Sequence, residues 1–277
     1  MPELPELEGL AERLGDALDG RTLERADVLH FSALKTVSPP IDALPGRKVE
    51  GTGRRGKYVS FALGDLEIVL HLGQGGRVEI EDPPRRTKPR GALVRLVFSG
   101  ALALLVREHG TERKAAWWVL PSGAAGPREH LGPEPFDDEA ARYLRGAPDK
   151  RQLHTILRDQ RTIAGIGRGF ADDILHRARL SPLSTLASLD ETERERLIAA
   201  MHDVLRDALD RERERSGGLA GKLGDRFAVH GRYGAPCPTC GTTLERVSYE
   251  SREVVYCPAC QTGGKKLADR RLSRLLR

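Results

Sequence analysis

Cys237-Pro238-Thr239-Cys240 and Cys257-Pro258-Ala259-Cys260 hold all four cysteines of this 277-residue chain, with sixteen residues between the pairs. Two C-x-x-C turns on adjacent hairpins can set four thiolates tetrahedrally around one zinc ion. Four sulfur ligands leave no open coordination position, so such a metal is structural and generates no hydroxide. Two disulfides or a redox pair are the competing readings. No signal-peptide pattern precedes the module, which points to a reducing compartment and therefore to metal-bound thiolates.

The module is also the basic part of the chain. From Gly217 to Arg277 there are eleven Lys or Arg against five Asp or Glu, whereas the whole chain carries a formal charge of +5. The first 216 residues are thus close to neutral, and the basic end points to a polyanionic partner. No apolar run approaches the length of a membrane span.

Upstream of the cysteines the pattern is helical from about residue 137. Asp137–Leu144, Arg151–Leu157, Phe170–Arg179 and Asp190–Arg215 are the expected helices, the last opened by Asp190 with Glu193 at capping-box spacing. Thr162 to Gly169 carries three alternate glycines, Gly165, Gly167 and Gly169. Such a turn exposes backbone amides ahead of a helix and can bind a phosphate oxygen, although a tight helix-to-helix turn also wants glycine.

Further upstream, Arg21 to about Leu120 reads as short strands. These are Thr22–Val28, Lys48–Gly53, Tyr58–Ala62, Leu66–His71, Arg77–Glu81, Ala92–Phe98, Ala101–Val106 and Ala116–Leu120, punctuated by Gly and Pro turns. Strands at this spacing predict a sandwich or barrel. Pro121 to Pro135, rich in Gly and Pro, reads as the linker.

The chain opens Met1-Pro2-Glu3-Leu4-Pro5-Glu6-Leu7-Glu8, and leucines at 4, 7, 10, 14 and 18 followed by Gly20 predict a helix. Pro2 and the glutamates suit the first turn of any helix. If Met1 is removed, however, Pro2 becomes a free secondary amine beside a carboxylate. An α-amino group titrates near 8 against about 10.4 for lysine, so it offers roughly a hundredfold more free base at neutral pH. A secondary amine adding to a sugar's anomeric carbon yields an iminium cation, an electron sink of the Schiff-base kind.

Taken together these motifs resemble the formamidopyrimidine-DNA glycosylase and endonuclease VIII family of base-excision repair enzymes over essentially the full chain. The resemblance lies in Pro2-Glu3-Leu4-Pro5-Glu6, Gly53-Arg54-Arg55-Gly56-Lys57-Tyr58, His71-Leu72-Gly73, Leu131-Gly132-Pro133-Glu134-Pro135, Asp159-Gln160-Arg161 through Gly165-Ile166-Gly167, and Arg252 with Tyr256 before Cys257.

It implies an α+β multidomain fold. An N-terminal helix and antiparallel β-sandwich (1–130) precede a helical domain with a helix–two-turns–helix motif (131–225), then a zinc-binding β-hairpin and basic tail (226–277). It further implies a bifunctional glycosylase and abasic-site lyase. Pro2 would be the nucleophile, Glu3 the acid/base at the opening sugar ring, and Lys57 a phosphate ligand able to protonate the leaving group. His71, Gly167 and Arg252 would bind damaged double-stranded DNA. Cys237, Cys240, Cys257 and Cys260 would hold one structural Zn2+. A monomer working in the cytoplasm at the nucleoid, away from membranes, is the implied setting.

Four departures bear on the substrate. Arg168 stands where the family has Asn, and Gln74 where an apolar Met is typical. The family's Arg-Arg-Phe-Gly intercalation loop is not recognisable. In its nearest counterpart, Glu112 to Trp118, Arg113 is the candidate reader of the opposite base, while the two tryptophans are expected in the core. Gly217 to Pro236 is shorter than the stretch that caps the lesion in 8-oxoguanine enzymes, which argues against that lesion. A paralogue that grips abasic or damaged DNA without excising bases is the alternative. A zinc-ribbon transcription module is a third, though it leaves the N-terminus unexplained.

Overall fold

In the computed structural model the described residues are 1–110, 113–219, 226–249 and 252–268. The chain divides into two units, one of Met1–Glu129 with Leu209–Leu223, the other of His130–Ala208 with Gly224–Arg277.

The first unit begins with α1 (Leu4–Leu18). Its leucines recur on one face and are fully buried, which is why the helix forms against the strands rather than in solvent. Glu6 Oε2 accepts the Glu3 amide at 2.7 Å, closing a capping box over the first turn. Pro5, in that turn, lacks only an N–H that would have had no helical partner. Asp19 caps the far end and Gly20 turns away at φ +68°.

The strands that follow are β1 (Leu23–Val28), β2 (Gly51–Arg55), β3 (Tyr58–Leu63), β4 (Leu66–His71), β5 (Gly76–Glu81), β6 (Ala92–Phe98), β7 (Leu102–Glu108) and β8 (Ala116–Pro121). They form two four-stranded antiparallel sheets, ordered β1-β6-β7-β5 and β2-β3-β4-β8. Alternate residues of β3, namely Val59, Phe61 and Leu63, meet the α1 leucines and Val94, Leu96, Phe98 and Leu104 of the other sheet in one core. β6 is buried along its whole length. Its Arg95 is buried in an ion pair with Glu81 of β5, Nε to Oε2 at 2.8 Å, completed by the Thr87 carbonyl and the Arg85 amide. Removing one member of such a pair costs about 3–5 kcal/mol, because the other charge stays buried.

The observed strands follow the expected ones closely except at β2. Lys48 and Val49 do pair, but with Arg21 and Thr22 rather than with β3, because Val49 exchanges hydrogen bonds with Gly20 and Arg21. The β3 pairing therefore starts at Gly51, three residues later than the pattern indicates.

The second unit holds α2 (Asp138–Gly146), α3 (Leu153–Arg158), α4 (Arg168–Arg177) and α5 (Glu191–Arg213), the last continuing into the first unit from Leu209. Asp190 Oδ1 accepts the Glu193 amide and Glu193 Oε2 accepts the Asp190 amide, the reciprocal cap expected of α5. A hairpin of β9 (Glu245–Tyr249) and β10 (Arg252–Tyr256) leads to α6 (Pro258–Thr262), a short helix that the sequence pattern did not reveal.

Candidate functional site

In the first unit, α1 runs along β2. Thr52 Oγ1 donates to the Ala11 carbonyl at 2.7 Å, and Arg54 Nε to Glu8 Oε2 at 2.6 Å. Arg54 also reaches the Gly56 carbonyl at 2.9 Å, so the order of contacts carries the amino end of α1 toward the Gly56–Lys57 turn. Gly56 makes that turn at φ +58°, a conformation costly for any residue with a Cβ. Pro2 is buried, Glu3 is 4% exposed and Lys57 7% exposed. A nearly buried lysine at a hairpin tip is not the solvated side chain that sequence alone would favour.

Lys57 also acts on His71. Burial, and then the Lys57 ammonium, hold the His71 imidazole below its ordinary value, opposed by its hydrogen bond to the Lys114 carbonyl. His71 is therefore neutral at pH 7, its ring 4.9 Å from the Tyr58 ring and tilted 41° to it, and Tyr58 in turn meets Trp118 edge-on at 5.9 Å. In Lys57→Met the second cause disappears while the larger one stays. The His71 pKa, read by NMR titration, should rise part of the way to its usual value. Because the folded state resists protonation, stability falls as pH drops from the ordinary imidazole value toward the depressed one. That acid loss should be smaller in the variant.

Beyond His71 the chain makes a tight turn, with the Gly76 amide donating to the Leu72 carbonyl at 2.7 Å and Gln74 exposed at its tip. Gly73 has φ +56°, and a Cβ there would lie 2.9 Å from the Lys114 carbonyl carbon. The turn thus packs directly on the segment that carries Arg113. Glu108, buried at the end of β7, holds that segment: Oε1 accepts the Lys114 amide at 2.9 Å and the Ala115 amide at 3.2 Å. Arg113 Nη1 lies 2.7 Å from His30 Nε2. A guanidinium only donates, so Nε2 accepts and the ring proton belongs on Nδ1, 2.9 Å from Ser32 Oγ. His71, Gln74 and Arg113 come together here. Glu108 and His30, which organise them, carry no motif. Trp117 is core as expected, 1% exposed, and Trp118 is half-buried. Glu112 lies outside the described residues.

In the second unit, Gln160 builds the Gly-rich turn. Its Oε1 accepts the Gly165 amide at 2.9 Å and its Nε2 donates to the Ile166 carbonyl at 2.7 Å. The glycines have different duties: Gly165 adopts φ +93°, Gly167 caps α4, and a Cβ on Gly169 would sit 2.0 Å from the Phe227 ring. Arg168, the first residue of α4, is exposed. The linker packs on this turn through Gly132 N to the Gln160 carbonyl and Ala164 N to the Pro133 carbonyl, both 2.9 Å.

α4 also anchors the cysteine module. Buried Asp172 meets His154 Nε2 at 3.1 Å, His230 Nδ1 at 2.6 Å and the Val255 amide at 3.2 Å. Asp173 accepts the amides of Ala228, Val229 and His230, although burial pushes its carboxyl pKa up. The Sγ atoms of Cys237, Cys240, Cys257 and Cys260 lie within 4.8 Å of one another, with separations of 3.4, 3.5 and 4.0 Å among them. Tetrahedral Zn–S bonds of about 2.3 Å need S···S distances of about 3.8 Å, so the four residues fit one zinc ion. His176 Nε2 stands 3.1 Å from Cys237 Sγ, and burial and then Arg177 hold its imidazole neutral, a donor toward a thiolate. Sequence reading missed this histidine because it lies 61 positions from its partner.

Arg252 opens β10 opposite Tyr249, and its side chain lies outside the described residues. Its strand neighbour Glu253 accepts from Arg246 Nη1 at 2.8 Å. Residues 220–225, within the shortened Gly217 to Pro236 stretch, Glu250 and the tail from 269 are also outside the described residues.

Three family models match the chain: the formamidopyrimidine-DNA glycosylase N-terminal domain over residues 1–111, the formamidopyrimidine-DNA glycosylase H2TH domain over 131–217, and a zinc finger found in FPG and IleRS over 234–263. The formamidopyrimidine-DNA glycosylase of Thermus thermophilus is 36% identical over 279 residues, covering 95% of this chain and all of the relative. The crystal structure of the MutM (Fpg) protein of Thermus thermophilus superposes with a TM-score of 0.78 at 33% identity, covering 96% of this chain and 100% of that one. The Lactococcus lactis enzyme, solved non-covalently bound to DNA containing an abasic site, shares the fold with a TM-score of 0.82 at 21% identity, over 94% and 99% of the two chains.

Proposed function

Because the chain belongs to the formamidopyrimidine-DNA glycosylase family, we propose that it excises oxidised bases from double-stranded DNA and then cuts the abasic strand itself. It is a DNA glycosylase of base-excision repair with a zinc-finger module. The observation that supports the catalytic reading is that Glu3, the N-cap of α1, and Lys57, next to the Gly56 carbonyl held by the same Arg54 that pairs with Glu8, are both nearly buried. Met1 is 44% exposed, so its cleavage would open the Pro2 nitrogen to solvent.

A base inside a duplex is out of reach, so the damaged nucleotide is first swung out of the stack. The Pro2 nitrogen attacks the anomeric carbon and the glycosidic bond breaks, the base leaving with a proton. Glu3 protonates the ring oxygen, the sugar opens and the nitrogen becomes an iminium. This electron sink acidifies the neighbouring C2′–H. Loss of that proton expels the 3′ phosphate by β-elimination, and a second proton loss expels the 5′ phosphate by δ-elimination. Lys57 would hold the phosphate beside the lesion. His71, Gly167, Arg168 and Arg252 would grip further backbone, with Gln74 and Arg113 at the gap. Zinc, held by the four cysteines, supplies architecture. In this reading the chain has three parts, 1–130, 131–225 and 226–277, and acts as a monomer in the cytoplasm. Among the described residues no helix is long and apolar enough to cross a membrane.

Gln74 and Arg168 favour one second reading, a paralogue that binds abasic sites without excision. A panel of single-lesion duplexes, scored separately for base release and for strand cutting, separates the two. Release of oxidised pyrimidines or formamidopyrimidines with cuts on both sides of the sugar is the expected result. Tight binding to every damaged duplex with neither product would establish the binder. Equal affinity for undamaged duplex would point to the transcription module instead.

A further inference from the structure

A lone exposed phenylalanine needs no explanation on an ordinary surface. Phe31, 79% exposed, differs because the backbone on both sides of it is fastened. It opens a short 3-10 turn, Phe31–Ala33, in which Ala33 is buried. The His30 amide donates to the Leu93 carbonyl and the Lys35 amide to the Trp117 carbonyl, both at 2.9 Å. Next along the chain, Thr36 Oγ1 accepts the Val119 amide at 2.9 Å. The segment is thus tied to β6 on one side and β8 on the other, and its tip is presented rather than loose. The side chain just before the ring, His30, joins Arg113 at 2.7 Å. Lys114, next to Arg113, backs the turn that carries exposed Gln74. An apolar ring on a tethered backbone therefore stands near two exposed cations and an exposed amide, all in the first unit.

The chemistry of that surface suits one occupant. The face of a base pair beside a missing or extruded nucleotide is flat and apolar, and it is rimmed by phosphates and by the polar edge of the orphaned base. We propose that Phe31 is the residue that stacks on this exposed base face, with His30 holding Arg113 toward the orphaned base and Gln74 entering from the neighbouring turn. No residue of the 113–118 stretch offers an equivalent: Trp117 is core, and Trp118 is half-buried against Tyr58. The inference rests on the glycosylase reading above and adds the residue that fills the stack.

The test measures affinity, by fluorescence anisotropy, for a duplex containing a tetrahydrofuran abasic analogue and for the same duplex intact. The proteins are wild type, Phe31→Ala, Phe31→Tyr and Phe31→Trp. Because the ring is exposed, the alanine protein should melt with the wild type. It should bind the abasic duplex about tenfold more weakly, the scale of one base–aromatic stack, and the intact duplex almost unchanged. Tyrosine and tryptophan should restore the affinity. The emission of Phe31→Trp, above the Trp117 and Trp118 background, should be quenched on saturation with the abasic duplex. Unchanged abasic affinity in Phe31→Ala, or an unquenched Phe31→Trp, would overturn the assignment while leaving the enzyme intact. Should the wild-type protein fail to prefer abasic over intact duplex, the glycosylase reading falls and this inference with it.

Discussion

Pro2→Gly protein is expected to give no borohydride-trapped complex with abasic DNA under conditions in which wild type is trapped quantitatively. Its base release should fall on the order of 10³-fold or more, the scale on which a positioned nucleophile or acid/base contributes. Glycine leaves a primary amine, but it frees the backbone torsion that proline fixes, at the residue leading into the capping box. Glu3 and Glu6 would then cap a helix whose first residue no longer points one way. A second protein, with its N-terminus blocked so that no free amine remains, removes the chemistry without touching Pro2 and should trap nothing at all. Glu3→Gln should bind abasic duplex normally yet release bases about 10²- to 10⁴-fold more slowly. Equal trapping by wild type, Pro2→Gly and the blocked protein, read as the shifted band on a denaturing gel, would remove the amine from the mechanism.

Stripping the zinc should weaken binding to abasic duplex severely while the first unit stays folded. The core beneath the cysteines is small, essentially Val229, Leu244 and Val255 with Cys237 and Cys257 themselves. These five, with the small cluster of Val247, Val254 and Tyr256 on the hairpin, do not offset the entropy of ordering the module, whereas a structural zinc contributes on the order of 10–16 kcal/mol in small domains. Chelation, or Cys240→Ser, should therefore unfold the hairpin that carries Arg252 and lower abasic affinity by roughly a hundredfold or more, as expected when several phosphate contacts are lost together. Emission from Trp117, buried in the other unit, should not change. His176→Phe gives the graded version: the ligands remain and only the donor to Cys237 goes. Zinc release to a chromogenic chelator should then accelerate about 10- to 100-fold, with the module folded at saturating zinc. Full abasic affinity in the metal-free protein would show that the module takes no part in gripping DNA.

The contrast between those two sites marks how far residue order carries. At the N-terminus, α1 was legible from its leucine period, its cap and Gly20, because all three are written within a few residues of one another. The paired C-x-x-C turns and the glycines between α3 and α4 were legible for the same reason. The strand count was too, save where Val49 pairs with Arg21 instead of β3. The nearly buried state of Lys57 was not: its sequence surroundings are those of a solvated turn, and only the folded protein leaves it 7% exposed.

What the linear order determined by itself is the set of local parts: helices and strands from periodicity, caps and turns from Gly, Pro and acidic residues, and a four-thiolate site from spacing. Only the tertiary structure decided which side chains serve them. Glu108 fastens Ala115, seven positions away, but His30 meets Arg113 across 83 positions, Asp172 meets Val255 across 83, and His176 meets Cys237 across 61. A hydrogen bond acts over about 3 Å of space whatever the length of chain between its partners. Periodicity records how a segment buries one face; it carries no record of which distant segment arrives there.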